Sequence, residues 1–277
     1  RDRRRPPRVG PLRPAGRCAV SAAATPADVL AGNARWCVVE GDNSADMALE
    51  DGCVAAVLTD PPYNAKVHKG YKVSRWKGAE KTRHVDIGFD CIDPRVVAPE
   101  LLRLSRGWAL AFCALEQLGA YAESAGTRWV RGGIWHRPRA APQFTGDRPA
   151  QAVDGIAIMH SRRAKQRWNG GGSHAFWSFG HQPEEEGANR GHPTRKPLLL
   201  MRELVHLFTD KDDVILDPFA GSGTTGVAAL AEGRRVILCE RVPEYAAIAR
   251  ARLAAAESGA DWRAPASQGQ LFAAVGS

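Results

Sequence analysis

Two short polar loops, about 160 residues apart, contain residue types and spacings that suit chemistry on a bound ligand. The first is Asp60-Pro61-Pro62-Tyr63, and the second runs from Asp217 to Gly226 as Asp-Pro-Phe-Ala-Gly-Ser-Gly-Thr-Thr-Gly. Each follows an apolar run, 54–59 or 214–216, that predicts a buried strand. Open α/β sheets bind ligands at the carboxyl ends of their strands. We therefore expect both loops to lie at a ligand-binding edge of one sheet.

The second loop has the glycine spacing of nucleotide-binding turns. Gly221-x-Gly223-x-x-Gly226 precedes a predicted helix, and Glu240 ends the next predicted strand. Glycines allow a tight turn and close backbone approach, and the acid can accept hydrogen bonds from ribose hydroxyls. A P-loop is excluded because no lysine follows the glycines. The pattern predicts an adenosine-containing cofactor, either a nicotinamide dinucleotide or S-adenosylmethionine.

The first loop favours S-adenosylmethionine. An exocyclic amine on adenine or cytosine is a poor nucleophile because its lone pair is delocalised into the ring. The Asp60 carboxylate and the rigidly held Pro61 carbonyl can accept both N–H bonds and favour attack on a sulfonium methyl group. Pro62 stiffens the turn further, and Tyr63 offers a face on which a flipped base can stack.

Predicted strands and helices alternate along the rest of the chain. Strands are expected at 36–40, 54–59, 108–114, 131–136, 155–160, 214–216 and 235–239, and helices at 99–104, 115–125, 196–209, 222–232 and 244–257. This alternation predicts an α/β fold, a doubly wound, mostly parallel Rossmann-like sheet.

Charge and composition suggest how the chain is divided. Residues 1–35 carry +6 of the formal net charge of +8, are rich in Arg, Pro and Ala, and are expected to be disordered. The main domain is expected at 36–258, followed by a tail at 259–277. Basic residues interleaved with aromatic ones concentrate at 64–84 and 128–167. The segment 137–190 interrupts the alternation with Pro, Gly and charge, and is predicted to be an insertion.

Several classes of protein leave no signature in the sequence. The six cysteines occur singly, and the eight histidines show no H-E-x-x-H spacing, so neither structural zinc nor another metal site is expected. There is no apolar run of the length that a membrane helix needs. We expect reduced thiols, a cytoplasmic protein and no membrane contact.

Four motifs in one order resemble the β group of S-adenosylmethionine-dependent DNA amino-methyltransferases, in which the catalytic loop precedes the cofactor glycines. They are Gly41-Asp42, Asp60-Pro61-Pro62-Tyr63, the His-Pro-Thr-x-Lys-Pro segment at 192–197, and Asp217-Pro218-Phe219-x-Gly221-x-Gly223-Thr224-Thr225. The resemblance spans about 36–257 and extends to phage, prophage and restriction-modification members.

The resemblance implies a role for each matching position. Asp60, Pro61, Pro62 and Tyr63 would hold the target amine and base. The cofactor would be bound by Asp42, Thr194, Lys196, Asp217, Pro218, Phe219, Gly221, Gly223, Thr224 and Glu240, with Glu240 on its ribose and Thr194 and Lys196 on its methionine part. Lys196 alternatively caps a surface helix. The insertion 137–190 would be the target-recognition region and contact double-stranded DNA.

The sequence therefore predicts a site-specific DNA methyltransferase, with adenine N6 favoured over cytosine N4 because Asp precedes Pro-Pro-Tyr. Cytosine N4 and RNA methylation stay open as alternatives. Two alternatives come from other classes of protein. A nicotinamide-dependent oxidoreductase would explain only the glycines and Glu240. A non-catalytic DNA-binding relic would differ from an enzyme in showing no turnover. The sequence does not give the recognition site, the presence of a cognate restriction endonuclease or the oligomeric state.

Overall fold

The computed structural model describes residues 24–42, 47–63, 92–140, 142–180 and 195–260. Within these ranges the helices are α1 (Pro26–Ala31), α2 (Pro94–Leu104), α3 (Leu118–Ala125), α4 (Leu198–Phe208), α5 (Thr224–Ala231) and α6 (Pro243–Ser258). The strands are β1 (Trp36–Glu40), β2 (Val54–Thr59), β3 (Ser105–Cys113), β4 (Trp129–His136), β5 (Val153–His160), β6 (Phe176–Ser178), β7 (Val214–Asp217) and β8 (Arg235–Glu240).

All of these strands form one sheet in the order β1-β8-β7-β2-β3-β5-β4-β6. Five neighbouring pairings are parallel, and the two that involve β5 are antiparallel. Among the described strands, only β5 therefore runs against the others. The carboxyl ends of β1, β8, β7 and β2 lie side by side at one edge of the sheet. The predicted α/β class and mostly parallel sheet are confirmed.

Helices cover both faces of the sheet, which explains why the central strands are apolar throughout rather than alternating. In β3, Leu110 and Phe112 join a core cluster that includes Leu204 of α4 and Val227 of α5. The intervening residues Ala109, Ala111 and Cys113 join the opposite cluster, which contains buried residues of α1, α2 and α3. Successive side chains of a strand point to opposite faces, so each central strand contributes to two cores.

The amino-terminal prediction needs correction, because α1 lies inside the segment 1–35 that we expected to be disordered. Thr25 caps this helix by accepting a hydrogen bond from the Asp28 backbone N–H, and Asp28 accepts one in return from the Thr25 backbone N–H. Val29 is fully buried, and its carbonyl accepts a 2.6 Å hydrogen bond from Arg235. The domain therefore includes residues from 24 onward, while 1–23 and the tail from 261 lie outside the described residues.

The predicted insertion 137–190 is also wrong as one continuous unit. The strand expected at 155–160 is β5, which pairs with β3 on one side and β4 on the other. Residues 153–160 therefore belong to the central sheet. The segments 137–140, 142–152 and 161–175 lie outside the regular elements, and 141 and 181–190 lie outside the described residues.

The other element predictions agree with the structure to within a few residues, with one larger difference at α2. This helix begins at Pro94 rather than Pro99, because the Asp93 side chain accepts a hydrogen bond from the Arg95 N–H and Pro94 occupies the first turn. Among the described residues, no helix combines the length and apolar character needed to cross a bilayer.

Candidate active site

Four acidic residues predicted for the site end up at one edge of the sheet. Asp60 follows β2, Asp217 ends β7, Glu240 ends β8 and Asp42 lies two residues beyond β1. Because these strands are parallel neighbours, their carboxyl ends meet at this edge. The structure therefore brings together the two loops that the sequence separates by about 160 residues.

Asp217 is a buried hydrogen-bond acceptor that fixes the glycine-rich loop. Its Oδ1 accepts from Thr59 Oγ1 at 2.6 Å and from the Phe219 N–H at 3.1 Å, and its Oδ2 accepts from Thr225 Oγ1 at 2.5 Å. Burial raises the pKa of Asp217 to about 6, and these hydrogen bonds oppose that rise. Since Thr59 immediately precedes Asp60, this network ties the two loops to each other.

Glu240 holds the same loop from the neighbouring strand. Its Oε2 accepts from the Gly221 N–H at 2.7 Å, and its Oε1 accepts from the Val242 N–H at 2.8 Å. Burial raises the pKa of the Glu240 carboxyl, and the backbone hydrogen bonds oppose the rise. Each carboxylate oxygen has two lone pairs, so Glu240 keeps acceptor capacity for a ligand hydroxyl.

The glycine at position 223 is required by backbone conformation and by packing. Gly223 has a φ of +80° at the start of α5, and a Cβ there would lie 2.8 Å from the Cβ of Ala249 in α6. The buried Arg252 guanidinium donates to the Ser222 carbonyl at 2.6 Å and approaches Thr224 Oγ1 at 3.3 Å. Gly223 and Thr224 thus pack the loop against α6.

Asp60 forms a close ion pair with Lys196, which precedes α4. Lys196 Nζ lies 2.5 Å from Asp60 Oδ2, and the Lys196 side chain is only 8% exposed. Asp60 Oδ1 is buried and has no hydrogen-bond partner among the described residues. A buried acceptor without a donor is costly, so this oxygen is the feature of the site that most clearly calls for a ligand N–H.

Aromatic rings surround the Lys196 ammonium. Its nitrogen lies 4.9 Å from the ring centre of Phe112 and 5.5 Å from those of Tyr63 and Trp135. Burial lowers the pKa of Lys196, but the Asp60 carboxylate and the other acidic groups nearby outweigh that effect and raise it overall. Burial also raises the pKa of Asp60, and Lys196 opposes that rise. The pair therefore joins a buried ammonium to a carboxylate that is 27% exposed and whose Oδ1 is buried.

The remaining predicted residues differ in how far they are exposed. Pro61 and Pro218 are buried, whereas Pro62, Tyr63 and Phe219 are partly exposed at the edge of the sheet. Asp42 is exposed after β1. Thr194 lies outside the described residues. Lys196 is a buried partner of Asp60, so the alternative that it caps a surface helix is wrong.

Sequence reasoning missed several residues that shape the site. None of Thr59, Phe112, Trp135, Asp154 and Arg252 was predicted to belong to the site. Thr59 carried a usable signal, since a hydroxyl that ends a buried apolar strand needs a hydrogen-bond partner. The two rings and Asp154 belong to β3, β4 and β5, apolar or mixed strands whose order in the sheet is decided only when the strands assemble.

A basic loop leaves the same edge of the sheet. It connects β4 to β5 at 137–152, and these strands meet through the pairing of His136 with Val153. Arg137 at its start lies 3.6 Å from Asp154 and stacks over Trp135. Near its middle, Phe144 is 88% exposed. The loop therefore projects from the edge that contains Asp60.

Comparison with solved structures identifies the class of fold. The M1.HpyAVI–SAM complex has a TM-score of 0.57 and 22% identity, covering 79% of this chain and 100% of that chain. The PvuII cytosine-N4-specific DNA methyltransferase has a TM-score of 0.61 and 16% identity, covering 87% and 91%. The chain has the Rossmann-like fold of methyltransferases.

Sequence comparison indicates the family. Residues 134–251, less than half of the chain, match the family model described as DNA methylase. The type II methyltransferase M.XycI of Xanthomonas campestris pv. cyanopsidis is 32% identical over 157 residues, covering 53% of this chain and 48% of that protein. The match thus spans about half the length of that relative. These similarities are to DNA methyltransferases, and the matched residues 134–251 contain two of the four motifs, those at 192–197 and 217–225.

Proposed function

We propose that this protein transfers a methyl group from S-adenosylmethionine to the exocyclic amine of a flipped base in double-stranded DNA. The observation that carries the proposal is the buried Oδ1 of Asp60, which has no hydrogen-bond partner within the described part of the chain. Asp60 lies beside Tyr63 and is joined through Thr59 to the Asp217 loop. An amine hydrogen supplies the donor that this oxygen lacks. The family similarity supports the same activity.

The residues present fit the proposed cofactor. S-adenosylmethionine supplies an electrophilic methyl group on a positively charged sulfur. Glu240, with acceptor capacity beyond its two backbone donors, suits the ribose hydroxyls. The backbone of 217–224 would line the cofactor, while Asp42, exposed at the adjacent strand end, would face its adenine. The M1.HpyAVI–SAM complex has the same fold and supports S-adenosylmethionine as the cofactor.

The chain's own residues prepare the amine for attack. Asp60 Oδ1 and the Pro61 carbonyl would accept its two N–H bonds and direct the nitrogen lone pair at the methyl carbon. As the amine nitrogen bonds to the methyl carbon and the carbon–sulfur bond breaks, the Asp60 carboxylate would take up the proton that the amine releases. Tyr63 would stack on the extruded base.

We further propose adenine N6 as the target atom. Asp at position 60, where other members of the resembled group have Ser, favours adenine within that group. Cytosine N4 is the competing target, since both bases present an exocyclic amine to the same acceptors. The PvuII cytosine-N4-specific DNA methyltransferase has a comparable fold.

The basic segment 137–152 is proposed as a DNA contact. It extends from the Asp60 edge and exposes Arg139, Phe144 and Arg148. Guanidinium groups bind phosphates or base edges, and an exposed aromatic side chain can insert where a base has been displaced. The second basic cluster, 64–84, lies outside the described residues. A cognate restriction endonuclease would recognise the same DNA site.

The proposal is tested by nucleoside mass spectrometry on DNA from methylase-deficient cells that express wild type, Asp60→Ala or Asp212→Asn. Asp212 is exposed in the turn before β7 and serves as the matched control. We expect N6-methyladenine with wild type and Asp212→Asn, and none with Asp60→Ala.

Each other outcome has a defined meaning. N4-methylcytosine that depends on Asp60 would keep the mechanism and reverse the choice of base. Methylation that persists in Asp60→Ala would refute the role of Asp60. Absence of both products from a folded wild type that binds S-adenosylmethionine would refute DNA as the substrate, and methylation of RNA would then be measured.

A further inference from the structure

The family resemblance places Lys196 on the cofactor's methionine part. In the structure, Lys196 is instead placed to act on Asp60. The two residues are 136 positions apart, and the Lys196 nitrogen lies 2.5 Å from Asp60 Oδ2. The ammonium is also enclosed by the rings of Phe112, Trp135 and Tyr63. These contacts fix the position of the charge next to one oxygen of the carboxylate.

The rest of the Asp60 environment works against an ionised carboxylate. Desolvation is the largest influence and raises the pKa of Asp60. Asp154 from β5 adds like charge. Asp217 of β7, Cys113 of β3 and the Tyr63 hydroxyl also couple to Asp60, and none of them supplies positive charge. Arg137 is directed to Asp154 at 3.6 Å. Among the described residues, Lys196 is thus the cation that counteracts the effect of desolvation on the pKa of Asp60.

We propose that Lys196 is a positioning residue for methyl transfer: its ammonium keeps Asp60 as an anion and holds Oδ2, so that Oδ1 is oriented to accept the hydrogen of the target amine. This inference rests on the proposed function. A neutral carboxylic acid would present a hydroxyl donor to the amine in one of its orientations and could no longer take up the proton that the amine releases.

The test compares pH–rate profiles of kcat for wild type, Lys196→Met, Lys196→Arg and Lys211→Met on duplex DNA. Methionine keeps a long apolar stem and packs well on aromatic rings, so the pocket should stay filled. Removing an opposite charge at this distance shifts a carboxyl pKa by about 1–3 units. We expect the acidic limb of Lys196→Met to move up by about 1–3 pH units. Lys196→Arg should reverse most of that shift, because it keeps a positive charge beside Asp60. Lys211→Met, in an exposed turn, should match wild type.

Calorimetric binding of S-adenosylmethionine separates this role from the one implied by the resemblance. Unchanged cofactor affinity in Lys196→Met together with a displaced acidic limb supports the proposal. Lost cofactor affinity with an unmoved limb overturns it, because Lys196 would then serve the cofactor's methionine part. If the methionine variant does not fold, Lys196→Gln, which keeps a donor to Oδ2 without charge, replaces it and carries the same expectation.

Failure of this inference can be told apart from failure of the proposed function. An active wild type whose acidic limb is insensitive to Lys196 refutes only the role of Lys196. A folded wild type that binds cofactor but shows no turnover on DNA refutes the function itself.

Discussion

Replacing Asp217 with asparagine should make the pH dependence of stability measurably flatter. Burial raises the pKa of Asp217 to about 6 in the folded protein, from an ordinary value of 3.8. The folded state therefore binds this proton more tightly than the unfolded chain does. The resulting contribution to stability is fully present below pH 3.8 and is lost as the pH rises through 6.

The magnitude follows from the difference between these two pKa values. Each pKa unit corresponds to about 1.4 kcal/mol, so the folded protein gives up about 3 kcal/mol between acidic and neutral pH. Asparagine keeps an oxygen that can accept from Thr59 and the Phe219 N–H, and the Thr225 hydroxyl can accept from its amide. Relative to wild type, Asp217→Asn should therefore gain about 2 kcal/mol in unfolding free energy from pH 4 to pH 8, because part of the change already occurs below pH 4.

Urea denaturation of both proteins across this pH range measures the effect, because the difference between them cancels groups that titrate alike. Thr225→Val is a useful companion variant, since the lost hydroxyl donor leaves the ionised carboxylate less stabilised. It should steepen the loss of stability with rising pH. A constant difference between wild type and Asp217→Asn from pH 4 to pH 8 would refute the reasoning.

Two further predictions concern the glycine-rich loop. Gly223→Ala should lose about 1–3 kcal/mol more stability than Gly233→Ala. Both positions have positive φ, +80° and +76°, but only the first would place a Cβ against Ala249, so equal losses in thermal unfolding would contradict the steric argument. In Glu240→Gln, one of the two backbone N–H groups that Glu240 accepts from would face an amide donor instead of an oxygen. The variant should lose about 1–3 kcal/mol of unfolding free energy and bind S-adenosylmethionine more weakly in calorimetry. Retention of wild-type stability and affinity would refute the assigned role.

The local features of this protein follow from short-range sequence. Val54–Thr59 and Arg235–Glu240 are buried strands because their apolar runs are the length of a strand and end in turn residues. The carboxylate of Asp60, which we propose accepts the amine hydrogen, and the turn at Gly223 are likewise local features, since they depend on residue type, ring constraints and positive φ. These features sufficed to predict the class of fold and the residues of both loops.

Other features depended on which strands become neighbours, and hydrophobic periodicity does not encode this. The placement of β5 between β3 and β4 turned part of a predicted insertion into central sheet. The pairing of β2 with β7 brings Thr59 to Asp217, which is 158 positions away in the sequence. Packing of the segment before α4 brings Lys196 to Asp60, which is 136 positions away. Residue types along the chain show which groups are available for chemistry. Only the packed structure shows that Lys196 engages Oδ2 of Asp60 while Oδ1 has no partner among the described residues, because burial and ion pairing arise once distant segments come together.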